Sequence, residues 1–424
     1  MAKFALLASF FAGVCLAGHH ALALAVDGTG DGVTGAAAPT RVFTDAELAQ
    51  CGGKIRIPQL VATPSRILVV AQCRCWGFPV SKSGGCDHPN ATAGAPPNDD
   101  DDGTGPAPRL MDNMIYSKVV SKASADGGLT WTNFTVLTPL SYSHGMPIYD
   151  RVAKQVVLQY QYHPNVAPTV NSTYFQRLSR DDGLTWGPAR NITADLAGCN
   201  PKAPVEMQVI AAGSKIQTAS GRLMFSGHTH GRTQGVACIW YSDDHGATYQ
   251  TTPTFKGDEA SFAELSPPGH LVLNGRGLNF KWEPNRTNYF SADDGTTWTQ
   301  GAPSRLQDNT VFGCEAALLA VPAAPAAKQQ QPTLYFSEPT GTDRTNLVMR
   351  CSHDGGKTWP GSLAVNGNKP AAYSALLPIA DANSAHGYKL LAMWEQFPNR
   401  GPPASFLAQH IGVDWCLDGA HAAA

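Results

Sequence analysis

The stretch Ser352-His353-Asp354-Gly355-Gly356-Lys357-Thr358-Trp359 is one of five copies of a pattern that recurs along the chain. The other copies begin at Ser124, Ser179, Ser242 and Ser291, and each reads Ser-x-Asp-x-Gly-x-Thr followed by Trp or Tyr. In such a turn the Ser and Asp side chains bond the local backbone, the glycine supplies a positive φ, and the aromatic ring anchors the returning strand. The pattern, which we call an Asp-box, predicts five copies of one tight hairpin turn.

The spacing of the Asp-boxes indicates how the turns are arranged. Their first residues stand 55, 63, 49 and 61 positions apart, an irregular period of about one small antiparallel sheet. Strand-like runs alternate with turns from about residue 115 to 413, with no long helix between them. This organisation is typical of an all-β propeller forming one domain. Five boxes leave room for a sixth blade without one, at about 373–413, closed by an early strand. We expect the boxes to lie on the rim away from any site.

The beginning of the chain has the pattern of a targeting segment. Lys3 precedes an apolar run that extends to about Leu16, and Ala23-Leu24-Ala25 offers small residues for cleavage. We therefore expect a signal peptide at 1–25, a flexible leader at 26–45, the propeller at 46–416 and a disordered tail at 417–424. No later stretch approaches ~20 unbroken apolar residues, so no membrane span is predicted. The expected location is secreted or lumenal, either lysosomal or extracellular.

Glycosylation sequons and cysteines agree with that compartment. Without Cys15 the chain has nine cysteines, enough for up to four disulfides and one spare thiol. Cys73-Arg74-Cys75 could be a pair of metal ligands, but no companion pair accompanies it, and disulfides are favoured. Five Asn-x-Ser/Thr sequons begin at Asn90, Asn133, Asn171, Asn191 and Asn285.

The charge of the chain excludes some classes of partner. The formal net charge is −2, so neither nucleic acid nor an anionic membrane is indicated. The acidic run at 99–102 could bind calcium, but four consecutive Asp without interleaved spacing favour a solvated loop. His144, His228 and His230 lack a completing ligand set. No metal and no organic cofactor is predicted.

Several short segments, in order, resemble the sialidase (neuraminidase) family over about residues 54–413. Ile55 departs from the aromatic residue usual at its position, and the segment beginning at Glu264 has one extra residue. The resemblance implies a six-bladed propeller and an exo-α-sialidase acting on sialylated glycoconjugates. The segments are Arg56-Ile57-Pro58, Glu264-Leu265-Ser266-Pro267-Pro268-Gly269 with Asn274-Gly275-Arg276, Arg344-Thr345-Asn346-Leu347, Ala372-Tyr373-Ser374 and Trp394-Glu395.

The resemblance also implies a set of substrate-binding residues. Arg56, Arg276 and Arg344 would hold the sialic acid carboxylate, which a planar guanidinium can bond through two nitrogens. Arg74 resembles an accessory arginine. Glu395 would hold Arg56 in place by charge pairing.

The catalytic roles follow from the charge of the substrate. A carboxylate nucleophile would be repelled by the carboxylate on the anomeric carbon, whereas a neutral tyrosine hydroxyl is not. Tyr373 is the expected nucleophile and Glu264 its base. Asp112 is the expected general acid, and the acidic run at 99–102 is the alternative source of that acid.

Two other functions remain open from the sequence. One is transfer to an acceptor hydroxyl, or hydrolysis of a related nonulosonic acid, which would use the same catalytic set. The other is glycan binding by a non-catalytic Asp-box propeller. The joint presence of a nucleophile, a base and three arginines argues against the pure binder, which needs no nucleophile–base pair.

Overall fold

The computed structural model describes twelve segments of the chain. They are residues 38–74, 117–139, 142–162, 173–199, 208–229, 236–253, 255–256, 259–277, 285–307, 313–322, 331–396 and 405–416. The expected signal peptide and the expected C-terminal tail lie outside the described residues, as does the acidic run at 99–102.

Six antiparallel sheets account for all the strands of the described segments, and each has a path of four hydrogen-bonded strands. Blade one contains β2 (Ile55–Ala62), β3 (Ile67–Arg74), β4 (Ser117–Ser124) and β5 (Thr132–Val136). Blade two contains β6 (Tyr142–Asp150), β7 (Gln155–Tyr162), β8 (Thr173–Ser179) and β9 (Arg190–Asn191). Blade three contains β10 (Gln208–Gln217), β11 (Leu223–Thr229), β12 (Val236–Ser242) and β13 (Gln250–Thr251), with β14 (Phe255–Lys256) as an extra pairing to β12.

The second half of the chain repeats this arrangement. Blade four contains β15 (Ala260–Glu264), β16 (Leu271–Gly275), β17 (Asn285–Ser291) and β18 (Thr299–Gln307). Blade five contains β19 (Ala317–Val321), β20 (Thr333–Pro339), β21 (Leu347–Ser352) and β22 (Gly361–Ala364). Blade six contains β23 (Ser374–Ala380), β24 (Tyr388–Gln396), β25 (Ser405–Ile411) and β1 (Thr40–Arg41).

The first strand of each blade lies on the inside of a ring. The ring order β2, β6, β10, β15, β19, β23 follows from contacts between successive members, and β23 in turn contacts β2. The strands are rich in buried Val, Ile, Leu and aromatic residues, so the blades pack face to face through apolar clusters. The expected six-bladed all-β propeller is confirmed.

The N-terminal segment closes the ring. Thr40 pairs with Ala408 in β25, so the last blade takes its outermost strand from the beginning of the chain. The helix α1 (Asp45–Gln50) follows, with a capping box formed by Thr44 and Glu47. The expected boundary of the propeller at residue 46 is therefore wrong: the described propeller begins at Thr40, because β1 is part of its last sheet.

Each Asp-box forms the connection between the third and fourth strands of a blade, as the box beginning at Ser352 illustrates. The backbone N–H of Gly356 donates to Ser352 Oγ at 2.9 Å, and the Ser352 hydroxyl donates to Asp354 Oδ1 at 2.8 Å. The Thr358 backbone N–H and hydroxyl donate to the two oxygens of the same carboxylate. Gly356 has a φ of +85°, a conformation that favours glycine. The local bonding expected from the pattern is confirmed.

The box glycines also allow adjacent blades to approach each other. A Cβ on Gly183 of blade two would lie 2.3 Å from Leu68 Cδ1 of blade one. A Cβ on Gly295 of blade four would lie 2.2 Å from Met224 Cε of blade three. The boxes thus join neighbouring blades as well as the strands of one blade.

All five boxes lie at one end of the propeller. In blade one, Ser124 at the start of its box pairs with Ile67, which also pairs with Ala62 at the end of the inner strand. The other end of the blade contains Arg56, at the start of the inner strand. The boxes are therefore on the face opposite the beginnings of the inner strands, as expected of scaffold turns.

Three disulfides connect described cysteines: Cys51–Cys73, Cys199–Cys238 and Cys351–Cys416. The alternative of Cys73 as a metal ligand is wrong, because its sulfur is bonded to that of Cys51. Cys314, the remaining cysteine of the described segments, is buried.

Some of the expected glycosylation sites lie on described residues. Asn133 and Asn191 are exposed, whereas Asn90 and Asn171 lie outside the described residues. A search of the described segments finds no helix that is both long enough and apolar enough to span a bilayer.

We predict that Asp181→Asn destabilises the protein at neutral pH and that this effect disappears in acid. Hydrogen bonds from Thr185 lower the pKa of Asp181 to about 2, from 3.8 in an unperturbed chain. A carboxylate with a depressed folded-state pKa adds stability above its unfolded pKa, and this contribution is lost as pH falls from about 4 through about 2. Urea midpoints of both proteins between pH 7 and pH 2 measure the difference.

A matched variant tests whether the box bonds cause that effect. Thr185→Val removes the hydroxyl that donates to Asp181 Oδ2 at 2.5 Å and should reduce the same pH-dependent difference. A gap between wild type and Asp181→Asn that stays constant with pH would contradict the assignment.

Candidate active site

Site residues gather where the inner strands begin. Glu259 immediately precedes β15, Tyr373 immediately precedes β23, and Arg56 is the second residue of β2. Arg276 follows β16 by one residue, at the same end, because Gly275 pairs with Ala260. Chain reversals in antiparallel blades thus bring residues from blades one, four and six to one mouth of the propeller.

Tyr373 and Glu259 are hydrogen-bonded to each other. The Tyr373 hydroxyl donates to Glu259 Oε1 at 2.7 Å, and both side chains are buried. Burial, reinforced by the negative charge of Glu259, holds the pKa of the Tyr373 hydroxyl well above its usual range, although nearby arginines oppose this. The phenol is therefore neutral, with a carboxylate positioned to accept its proton.

Three arginines surround the Tyr373 ring. The Arg56 and Arg344 guanidinium carbons lie 5.2 and 5.7 Å from the ring centroid. Arg276 Nη1 lies 3.4 Å from the Tyr373 hydroxyl oxygen and forms an ion pair of 2.6 Å with Glu259. Three guanidinium groups from blades one, four and five converge on one point, an arrangement that suits an anionic ligand.

Glu395 positions Arg56. Arg56 Nε and Nη2 donate to Glu395 Oε2 at 3.2 and 3.0 Å, and neither residue is more than 2% exposed. The backbone N–H of Ile57 donates to the other oxygen of Glu395. Ile57 has a φ of +62°, which a β-branched residue rarely adopts, and this local distortion accompanies a register shift between Arg56 and Gln59.

The expectation that Glu264 lies beside Tyr373 is contradicted by the structure. Glu264 is the last residue of β15, so the length of that strand separates it from the mouth. Its carboxylate accepts from the backbone N–H groups of Ala219 at 2.8 Å and Gly269 at 3.0 Å. Glu264 therefore stabilises the opposite end of the propeller, and Glu259, which the sequence analysis missed, occupies the position beside Tyr373.

Two further residues were expected at the site, Arg74 and Asp112. Arg74 is buried at the end of β3, where its strand pairs with the beginning of β2, and its Nε donates to Gln72 Oε1 at 3.0 Å. Arg74 thus lies at the mouth. Asp112 lies outside the described residues, so its expected role as general acid stays a prediction.

A cluster of possible metal ligands lies far from this mouth. Cys351, His353 and Cys416 place their ligand atoms within 4.8 Å of one another. Because the two cysteines form a disulfide, their sulfurs are already bonded, and we assign no metal to the cluster.

The chain is similar to known proteins along much of its length. The family model described as a BNR repeat-like domain matches residues 118–385, more than half of the chain. A sialidase from Micromonospora viridifaciens is 28% identical over 307 residues, covering 65% of this chain and 45% of the relative. Sialidase-4 from Homo sapiens is 27% identical over 164 residues, covering 34% of this chain and 32% of the relative. These matches span less than half the length of either relative.

Solved structures share the fold. The Hadza microbial sialidase Hz136 aligns with a TM-score of 0.60 and 22% identity, covering 84% of this chain and 65% of that one. A leech intramolecular trans-sialidase aligns with a TM-score of 0.65 and 15% identity, covering 91% and 71%.

We predict that Glu395→Ala strongly destabilises the protein. The substitution leaves the buried guanidinium of Arg56 without its counter-charge, and breaking a buried ion pair in this way costs about 3–5 kcal/mol. Urea unfolding measures the loss. The matched control is Asp45→Ala, which breaks the exposed Arg41–Asp45 pair and should cost less than about 1 kcal/mol. Equal losses in the two variants would contradict the structural role given to Glu395.

Proposed function

Because the chain belongs to a sialidase family with BNR repeats, we propose that it is an exo-α-sialidase. It would hydrolyse terminal α-linked sialic acids from glycoproteins, glycolipids or oligosaccharides, with retention at the anomeric carbon. The observation that carries the proposal is the hydrogen bond of 2.7 Å between Tyr373 and Glu259 within a cluster of arginines.

The arginines would bind the carboxylate of the substrate. Sialic acid carries this group on its anomeric carbon, so three guanidinium groups fix the position of the reacting atom. Arg56 is held by Glu395, and Arg344 Nη2 also bonds the Gly313 carbonyl oxygen at 3.3 Å. The guanidinium groups are thus partly oriented by the protein before substrate binds.

Tyr373 would be the nucleophile and Glu259 its general base. The neutral phenol can approach an anomeric carbon that bears a carboxylate without charge repulsion. As the oxygen attacks, Glu259 takes the phenolic proton, and the developing phenolate is stabilised by Arg276. In the second half of the reaction water attacks the anomeric carbon, and the bond from that carbon to the Tyr373 oxygen breaks. Glu259 returns the proton to the Tyr373 oxygen, and the carboxylate that served as general acid in the first half takes the proton that water loses.

Asp112 is proposed as the general acid for the leaving sugar. Cleavage of a natural glycosidic bond requires a proton on the departing oxygen. In this scheme Glu259 accepts the phenolic proton of Tyr373 as the new bond forms, so neither residue supplies a proton to the departing oxygen. A separate carboxyl group must therefore supply that proton.

The proposed compartment is extracellular or lumenal. Three disulfides are typical of an oxidising environment, and the exposed Asn133 and Asn191 are available to glycosylation enzymes. Sialylated glycoconjugates occur on that side of the membrane.

We predict that the purified protein releases the fluorophore from an aryl α-sialoside and that Glu259→Gln largely abolishes this. Removal of a general base lowers turnover by about 10²–10⁴-fold. The matched control is Glu264→Gln, which alters a carboxylate at the other end of the same strand and should retain wild-type turnover. Folding of both variants is checked by circular dichroism.

The reverse result would restore the sequence-based assignment. If Glu264→Gln were inactive and Glu259→Gln active, Glu264 would be the base despite its position. A folded wild-type protein that binds the sialoside without releasing the fluorophore would identify a non-catalytic glycan-binding propeller.

We predict that Tyr373→Phe keeps sialic acid binding and loses turnover by several powers of ten, each about 1.4 kcal/mol of barrier. The substitution removes the hydroxyl and keeps the ring against which Arg56 and Arg344 pack. A 3-fluorinated sialosyl fluoride should trap the sugar on residue 373 of the wild type. Mass spectrometry of the quenched reactions should find that label in the wild type and not in the variant. A label on Glu259 would identify a carboxylate nucleophile instead.

A further inference from the structure

A second buried carboxyl group, Glu315, lies behind the Tyr373–Glu259 pair. Glu315 lies two residues before the start of β19 and is 1% exposed. Its Oε2 accepts from the backbone N–H of Ser374 at 3.1 Å, so it bonds the residue that follows Tyr373. Its Oε1 is buried and has no hydrogen-bond partner among the described residues. The proposed reaction gives this group no role.

Charged groups from three other blade segments face Glu315. The negative Glu259 acts on it from the beginning of β15, Arg286 acts from β17, and Lys215 acts from β10. The Cys314 thiol, its neighbour in the chain, lies in the same buried region. Glu315 is therefore at the centre of a cluster that includes the proposed base.

Lys215 is a second positive member of this cluster, in addition to Arg286. Its Nζ donates to Gln59 Oε1 in β2, so the lysine connects the inner strands of blades three and one. Lys215 and Glu315 act electrostatically on each other. Glu315 thus has two basic side chains, Arg286 and Lys215, and one carboxylate, Glu259, as opposing neighbours.

Both groups lose their protons near the same pH. Burial, reinforced by Glu259, raises the pKa of Glu315 to about 8. Burial lowers the pKa of Lys215 to about 8, with Glu315 opposing the shift. The fully protonated pair has a charge of +1 and the fully deprotonated pair a charge of −1, whichever proton leaves first. The net charge of the Lys215–Glu315 pair thus falls by two across this pH range.

The arginine cluster borders this region. Arg344 bonds the carbonyl oxygen of Gly313, two residues before Glu315. Arg344 and Arg276 both act electrostatically on Cys314. An ionised Glu315 would compete with the carboxylate of a substrate for these guanidinium groups and repel it.

We propose that Glu315 is a positioning residue whose proton keeps the floor of the site free of a competing negative charge, so that its ionisation sets the alkaline limit of substrate binding. The inference rests on the proposed sialidase function. The effect acts on binding of the anionic substrate more than on the chemical step, because the negative charge of Glu315 opposes the carboxylate that the arginines hold. KM should therefore rise with pH while kcat changes less.

The test compares kcat and KM between pH 6 and 9.5 for the wild type and Glu315→Gln. Gln keeps the shape of the side chain and an oxygen that can accept from Ser374. In the wild type, KM should rise about tenfold by one pH unit above the Glu315 pKa of about 8, since about one molecule in ten then retains the proton. The ratio of KM at pH 9 to KM at pH 7 should be several-fold smaller in Glu315→Gln. Glu264→Gln is the control and should follow the wild-type profile.

A second variant keeps the inference testable if Glu315→Gln does not fold. Lys215→Met removes the positive charge that lowers the pKa of Glu315, so the rise in KM should move to higher pH.

Binding of an unreactive 2,3-didehydro sialic acid, measured by calorimetry on the wild type, should weaken from pH 7 to pH 9. Its uncharged methyl ester should bind equally at both pH values.

The outcomes separate the two proposals. Hydrolysis with the same KM profile in the wild type and Glu315→Gln would overturn the role of Glu315 and leave the sialidase function intact. Equal pH dependence for the acid and its methyl ester would also overturn it. Absence of sialoside hydrolysis at every pH would reject the proposed function itself.

Discussion

The buried ion pair between Arg56 and Glu395 forms only when the propeller closes, and it fixes the position of Arg56 at the mouth. The two residues are 339 positions apart, on the first inner strand and on the middle of the last blade. Removing both charges from water is costly, and two hydrogen bonds between the side chains plus one from the Ile57 amide offset that cost. Such a pair persists only where the surrounding sheets fix both backbones. Arg56 therefore faces Tyr373 in a geometry set by the ring as a whole.

Because the ring fixes these side chains, groups of opposite charge lie close together at the mouth. The Glu259 carboxylate accepts a hydrogen bond from Tyr373 and also pairs with Arg276. The phenol stays protonated because burial and a neighbouring carboxylate oppose its ionisation. A neutral nucleophile, an anionic base and cationic binding groups thus coexist within one buried cluster. The ionisation state of each group therefore depends on its surroundings in the fold as well as on its residue type.

The sequence predicted the features that depend on local chemistry. The Asp-box turns follow from residues within eight positions of one another, and the arginines and Tyr373 stand in recognisable segments. Glu259 was missed because its role depends on where β15 begins, which no local pattern marks. The glutamate chosen instead, Glu264, ends that strand, and five residues of strand span roughly 16 Å. Glu315 had no pattern at all, since four distant segments create its surroundings.

The closing strand has a consequence for how the chain acquires its structure. Arg41 meets Ser405 through a hydrogen bond between residues 364 positions apart. During synthesis, β1 must remain without its partner until nearly the whole chain has left the ribosome, while five blades can already form from local hairpins. The outer edge of β25 completes its hydrogen bonds only at that last step. A ribosome-bound chain would thus expose an open arc of blades, and the mouth would assemble after its first and last blades meet.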